Sequence, residues 1–267
     1  MERKQYRKSP ERKEQQPARL DWEQLLEEAL DMPGNLGNTY NRFYNYSFLN
    51  QLLLYQQGVR EPVNTYDRWK AMNRQVQKGS KAKAILRPIS RKVENDNGEE
   101  EVRLTGFKMV NCLFTASETE GDPLPEYEPK LWSPERALGA LAIREVAYGL
   151  VDGNTQGYSS GHELAINPVA AYPVKTMVHE MGHIVAGHTV QEKMAEYLMH
   201  RGLFEFEAEG SAYLVMNEID EEERHFDSAE SRAYIQGWLQ GETPPEESIR
   251  RVFTTADKIL KAGREES

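Results

Sequence analysis

The sequence holds a single cysteine, Cys112. One thiol cannot close an internal disulfide or build a cysteine-based zinc knuckle, so neither staple is expected. Long hydrophobic runs are missing as well, and no stretch approaches the ~18 apolar residues a membrane span requires. The opening MERKQYRKSPERKEQQPARL has no apolar segment of the kind a secretory leader carries. A cytoplasmic setting without a membrane partner is therefore expected. Aromatic residues make up 9%, and hydrophobic residues 39% against 28% charged. That balance is polar without being the composition of a wholly disordered chain. The 267 residues suffice for one large domain or two small ones with a buried core.

The formal net charge is -10, but it is unevenly spread. Residues 1–130 hold 21 Lys+Arg against 20 Asp+Glu, whereas residues 131–267 hold 12 against 23. Residues 68–92 carry nine basic side chains and no acidic one: Arg68, Lys70, Arg74, Lys78, Lys81, Lys83, Arg87, Arg91 and Lys92. Such a stripe steers polyanions whatever the global charge. Read by itself, it is equally a solvated face balanced by the acidic loop Glu94, Asp96, Glu99, Glu100 and Glu101.

Residues 1–19 read as a disordered arm. A helix is expected over 20–32, with Leu20, Trp22, Leu25, Leu26, Ala29 and Leu30 on one face. Pro33, Gly34 and Gly37 break it. A second helix is expected from the N-cap Ser47 to the stop at Gly58, and a third over 66–76. Extended stretches at 82–89 and 102–114 around the acidic loop predict a hairpin. The Pro-rich 123–132 reads as a linker, and Ser133-Pro134-Glu135 as the start of a helix ending by Gly149. A short strand is expected at 163–167, then helices near 170–188, 190–218, 228–240 and 246–262. The organisation is thus an arm (1–19), a first domain (20–122), a linker (123–132) and a second domain (133–267).

The strongest chemical signal is His179-Glu180-Met181-Gly182-His183 in a helical context. Two imidazoles four residues apart project from one side of a helix and can share one Zn²⁺. Glu180 can reach a metal-bound water without being a ligand, the position of a general base. Gly182 costs roughly 1 kcal/mol of helix stability against Ala, which close approach of another backbone would explain. Glycine and histidine three and six residues after His183 would mark a metzincin, but Ala186 and Thr189 stand there. A later carboxylate is then needed. In LFEFEAEGSAYLV (203–215), Glu205, Ala208, Glu209 and Ala212 form one stripe, while Glu207 faces away. One of Glu205 and Glu209 would ligate, and the other would orient a ligand histidine. His188 reads as a capping histidine or one that supports a ligand. His162, Tyr158 or Tyr213 could polarise an oxyanion, against a plain packing role. A histidine–carboxylate set also accepts Mn or Co.

The motifs HEMGH…GH (179–188), E-x-x-A-E-x-x-A (205–212) and AYIQGW (233–238) resemble the gluzincin-type metallopeptidase domain of ArdC antirestriction and ImmA/IrrE-like proteins. The stretches YNRFYNYSFLNQLLLYQQ (40–57), YDRWKAMNRQVQKGSKAKAIL (66–86) and GFKMVNCLFTASETEG (106–121) resemble the single-stranded-DNA-binding domain of ArdC-like proteins. Together the resemblances cover roughly residues 20–262. They imply an α+β fold: N-terminal helices on a small antiparallel sheet, then a mainly helical zincin-like domain. They imply Glu205 as third Zn²⁺ ligand and Glu209 as the acid supporting a ligand histidine. They imply that Arg42, Arg74, Lys78, Lys81, Lys83 and Arg87 meet backbone phosphates of single-stranded DNA. Tyr40, Tyr44, Tyr46, Trp69 and Phe107 become candidate stacking platforms, of which two or three at most are expected to face DNA and the rest to be core. The acidic second domain is expected to stay off DNA, free for an unknown protein substrate. The implied role is DNA protection for a mobile element or phage. The rival expectation is a non-catalytic DNA-binding protein whose metal is structural or regulatory.

Overall fold

Local caps set the first helices of the computed structural model, which describes residues 20–32, 34, 36–94, 100–128, 130–149, 155–190, 194–219, 228–241 and 243–264. The arm expected over 1–19 lies outside the described residues. Asp21 accepts from the Gln24 amide and opens α1 (Trp22–Asp31), which buries Trp22, Leu25, Leu26, Ala29 and Leu30. The short α2 (Leu36–Tyr40) precedes α3 (Phe48–Gln56), opened by Ser47 accepting from the Asn50 amide. Next come β1 (Val63–Thr65), α4 (Tyr66–Ala71) and β2 (Arg74–Val76). The helix expected over 66–76 therefore stops early. Asn73 takes φ 55°, and Arg74–Val76 pairs antiparallel with β5 (Thr119–Gly121).

β3 (Lys83–Glu94) and β4 (Glu100–Thr115) form the expected hairpin, and β1 joins β4 in the order β1-β4-β3. α3 fastens to the edge strand β3 through side-chain amides. Asn50 gives 3.1 Å to the Leu86 carbonyl and takes 2.8 Å from its amide. Gln57 treats Ala84 the same way, at 2.8 Å in both directions. These bonds satisfy part of an open ladder edge.

In the second half, Ser133 caps α5 (Pro134–Ala140). The helix expected to reach Gly149 ends at Ala140. Ala142 adopts φ 53°, and β6 (Arg144–Glu145) pairs parallel with β8 (Glu163–Ile166). β7 (Gly157–Ser160) completes the sheet β6-β8-β7 as an edge strand. Four helices follow: α6 (Pro173–Ala186), α7 (Met194–Glu218), α8 (Ser228–Gly241) and α9 (Glu246–Gly263). α7 kinks at His200, where φ is -123° and ψ 27°.

One hydrophobic core runs through both halves. α9 supplies Ile249, Val252, Phe253, Ala256, Ile259 and Leu260. Each of the Ile, Val, Phe and Leu side chains contributes ~1.5–3 kcal/mol when fully buried. Trp22 and Phe48 pack on Phe253 at 6.4 and 6.1 Å between ring centroids. Glu218 of α7 accepts the Leu36 and Gly37 amides at 3.1 and 2.9 Å, and Asp257 of α9 accepts the Phe48 amide at 2.5 Å. Carboxylates from the second half thus cap helices of the first. No described helix is long and apolar enough to cross a membrane.

Candidate metal centre and nucleic-acid interface

The i, i+4 spacing on α6 brings the Nε2 atoms of His179 and His183 to 3.2 Å from each other. Glu205 of α7 places a carboxylate oxygen 3.4 Å from His179 Nε2 and 3.6 Å from His183 Nε2. Ligand atoms of these three residues all lie within 4.8 Å of one another, an arrangement that could hold one divalent cation. The helices meet this closely because Gly182 has no side chain. A Cβ there would stand 3.2 Å from the Ala208 Cα and carbonyl oxygen. Gly210 and Ser211 serve a different contact, packing on Val252 of α9.

Behind the three converging groups, each histidine has a partner on its other ring nitrogen. Glu209 stands 3.0 Å from His179 Nδ1 and also takes 2.8 Å from Lys175 Nζ. The Ser231 hydroxyl donates to its second oxygen. His183 Nδ1 stands 3.0 Å from His188 Nδ1, and His188 Nε2 stands 2.7 Å from Glu207. Arg251 of α9 closes that chain, donating 3.1 and 3.2 Å to the two Glu207 oxygens. The αL turn at Gly187 (φ 79°) folds His188 back so that its amide meets the His183 carbonyl at 2.9 Å. Only one proton order suits a metal-facing His183 Nε2. His183 Nδ1–H donates to His188 Nδ1, and His188 Nε2–H donates to Glu207.

The electrostatics follow from these contacts. Burial pushes the His179 imidazole down, but Glu205 and Glu209 outweigh it and hold it at about 9. Burial opposes ionisation of Glu209, yet His179 and Lys175 bring its carboxyl to about 2. Burial likewise opposes ionisation of Glu205, and the two histidines pull it far below the usual carboxylate range. A cation bound here would replace the proton on His179 and satisfy the same carboxylates. Glu180 is buried, and its carboxylate takes 2.6 Å from the Ser159 hydroxyl of β7. Both line a cleft of about 500 Å³ that runs along β7 and over the histidines, with Arg201 at its wall.

A second depression, of about 1100 Å³, lies between α3, α4 and the β3–β4 hairpin. Tyr44 and Tyr66 border it with 48% and 44% of their surface exposed. Arg68 stacks its guanidinium 4.0 Å over the Tyr44 ring, a cation–π contact that presents charge and aromatic face together. Arg87, Phe107 and Cys112 also line it.

Residues 11–113 match the family model described as the N-terminal domain of anti-restriction factor ArdC. The solved structures include a match over nearly the whole length. The antirestriction ArdC protein of plasmid R388, in its metal-free crystal structure, superposes with a TM-score of 0.53 at 18% identity, covering 91% of this chain and 95% of that one. The first part of the chain thus matches the ArdC N-terminal domain, and the chain as a whole shares the ArdC fold. The Mn(II)-bound structure of the same plasmid protein gives a TM-score of 0.51 at 18% identity, over 91% and 96%. At that identity the likeness is one of fold. No curated protein matches the chain.

The candidate metal residues gather at one place: His179, His183 and Glu205 converge, Glu180 lines their cleft, and Glu209 and His188 stand behind the imidazoles. Glu207, read from its helical phase as facing away, does leave the metal side, but it lands on His188 and Arg251. Tyr213 has the packing role: it is buried and donates 2.7 Å to the Leu30 carbonyl, away from the cleft. Tyr158 lines the cleft, whereas the exposed His162 does not.

The basic stripe divides. Arg87 lines the groove, and Lys78 and Lys81 are exposed on the 77–82 turn outside its lining. Lys83 pairs with Glu118 at 2.7 Å. Arg74 is spent on Thr119 and on the Asp122 carbonyl. Arg42 donates to the Pro125 carbonyl and lies against Phe43 and Tyr127. Trp69 cannot stack on a base: it is fully buried, edge-on to Phe43, with its indole N–H on the Phe114 carbonyl at 2.9 Å. Tyr40 is also fully buried, donating 2.6 Å to the Val59 carbonyl, and Tyr46 is core beneath Tyr44. Tyr66 and Arg68 are the groove residues that the stacking and phosphate assignments passed over; Arg68 stood in the stripe but without a role.

Proposed function

We propose that this chain is a DNA-associated metallopeptidase with an antirestriction role, in which the first half seats single-stranded DNA and the second cleaves a peptide bond. The observation that carries the reading is the convergence of His179, His183 and Glu205 beside a cleft that also holds Glu180. Two imidazoles and one carboxylate are the donor set of open catalytic zinc sites, and Mn(II) suits it as well. A bound divalent ion would polarise the substrate carbonyl and lower the pKa of water. His179 and His183 offer their Nε2 atoms and Glu205 a carboxylate oxygen. Glu180 takes the proton of the attacking water and returns it to the leaving amine. Ser159 keeps the Glu180 carboxylate aimed by its hydrogen bond. The edge strand β7 offers unpaired backbone groups on which an extended peptide can lie. That the R388 protein is seen both metal-free and Mn(II)-bound supports an exchangeable ion over a structural staple.

The test is a peptide library digested by the metal-loaded chain and read by mass spectrometry. Glu180→Gln is expected to keep its metal and lose cleavage. Cleavage unchanged in Glu180→Gln, or none by the wild type, overturns the peptidase reading and leaves a metal that is structural or regulatory. The DNA part has a built-in probe, because the one thiol, Cys112, lines the groove. An oligothymidine of about 20 nucleotides should slow Cys112 alkylation and bind with a salt-sensitive affinity. Absence of both effects overturns DNA seating in the groove.

A further inference from the structure

The groove does not end within the first half. It shares Tyr44 and Asn45 with a second depression of about 730 Å³, which reaches Arg42, Tyr127 and Lys261. That depression shares Lys261 and Arg264 with a third, of about 600 Å³, formed between α5 and α9. Three depressions therefore follow one another, and the last belongs to the second half alone.

Their chemistry repeats. The first presents Arg68 and Arg87 with the exposed rings of Tyr44 and Tyr66. In the second, the Arg42 guanidinium lies 5.6 Å from the Tyr127 ring centroid. Glu126, Glu128 and Lys130 line it as well. The third is lined by Arg136, Lys258, Lys261 and Arg264 around Ala140, Leu141 and Ala262, with no acidic residue. Arg136 is occupied with the Gly263 and Leu131 carbonyls, and Arg264 faces Glu218 at 3.8 Å. Lys258 and Lys261 are exposed and form no ion pair among the described residues. Among the described residues, the lining of this third depression is basic although residues 131–267 carry a surplus of acid. A path of this kind suits a strand whose phosphates track cations and whose unpaired bases find ring faces or apolar floor.

Resting on the DNA-seating reading above, we propose that single-stranded nucleic acid bound in the first half continues past Tyr44 onto the second half, where Lys258 and Lys261 of α9 hold its phosphates. The metallopeptidase half is then part of the DNA footprint rather than a passenger. The experiment uses the full chain and fluorescein-labelled oligothymidines of about 6 and about 25 nucleotides, spanning the site sizes common for such grooves. Lys258→Gln/Lys261→Gln should weaken the long oligonucleotide about tenfold and lower its log–log salt slope by about 1.4, roughly 0.7 per lost phosphate contact. The short one should bind as to the wild type. Arg144→Gln removes a cation of the second half that lies off this path, and should leave both affinities unchanged. Equal weakening at both lengths, or none at either, overturns the path while leaving the groove intact. If the wild type binds neither oligonucleotide, the path falls together with the reading beneath it.

Discussion

The two candidate sites are built in opposite ways. At the metal centre the groups behind the two imidazoles are answered from within, through chains that end on Ser231, Lys175 and Arg251. At the groove, Tyr44, Tyr66 and Arg87 stay exposed, with the Tyr66 hydroxyl accepting from Gln75 and the Tyr44 ring lying under Arg68. The first arrangement fixes ring orientation before a ligand arrives, as a small ion with strict geometry demands. The second leaves side chains free to meet a flexible polymer, where charge and ring faces matter more than angle. Closed networks therefore mark where a compact ligand is expected, and open ones where an extended ligand is.

The largest effect should come from removing a converging imidazole. His183→Ala is expected to lower affinity for Zn²⁺ or Mn²⁺ by more than about 100-fold, since even supporting residues are worth 10–100-fold. Competition with a chromogenic chelator measures it. Oligothymidine affinity should remain unchanged. A parallel loss of DNA binding would break the comparison, because the groove would then depend on the ion.

A smaller effect is expected from the far end of the relay. Glu207→Gln keeps the shape but weakens the hold on the His188 Nε2–H and on Arg251. Metal affinity should fall about 10–100-fold with melting of the metal-free chain only modestly changed. An unchanged affinity would show that the closed network does not tune the ion.

This relay also shows what the sequence could reveal and what it could not. A spacing of four on a helix fixes the His179–His183 geometry, so the pair was legible. Whether Glu205 or Glu209 faces the metal depends on which ring nitrogen each one meets, 3.4 Å from Nε2 or 3.0 Å from Nδ1, and helical phase alone left both open. The Glu207–Arg251 contact crosses 44 residues and appears only when α9 packs on α7. The groove was less legible still. A run of nine cations says nothing of which ones the fold consumes, and Arg74 and Lys83 were taken by neighbours beyond residue 115. Trp69, an apparent platform, is core against Phe43 with its indole N–H on the Phe114 carbonyl. Helix ends at Ala71 and Ala140 were missed because strand pairing to distant residues overrode local periodicity.

The smallest expected effect lies on the seam between the two sites. Asp257 of α9 accepts the Phe48 amide at the start of α3, whose N-cap Ser47 borders the groove. Burial pushes its carboxyl up to about 7, against the pull of the Phe48 amide and Arg264. The sign follows. Below about pH 4 both the folded and unfolded chains hold the proton, and nothing is lost. Between about 4 and 7 the unfolded chain releases it first, so stability falls as pH rises, and above 7 the cost is complete. Asp257→Asn keeps an oxygen for the Phe48 amide and cannot ionise. It should melt with the wild type near pH 4 and about 2–4 °C above it at pH 8. A variant that melts lower at pH 8 would mean the ionised carboxylate strengthens the cap more than its burial costs, and the seam would then be held by charge as the metal centre is.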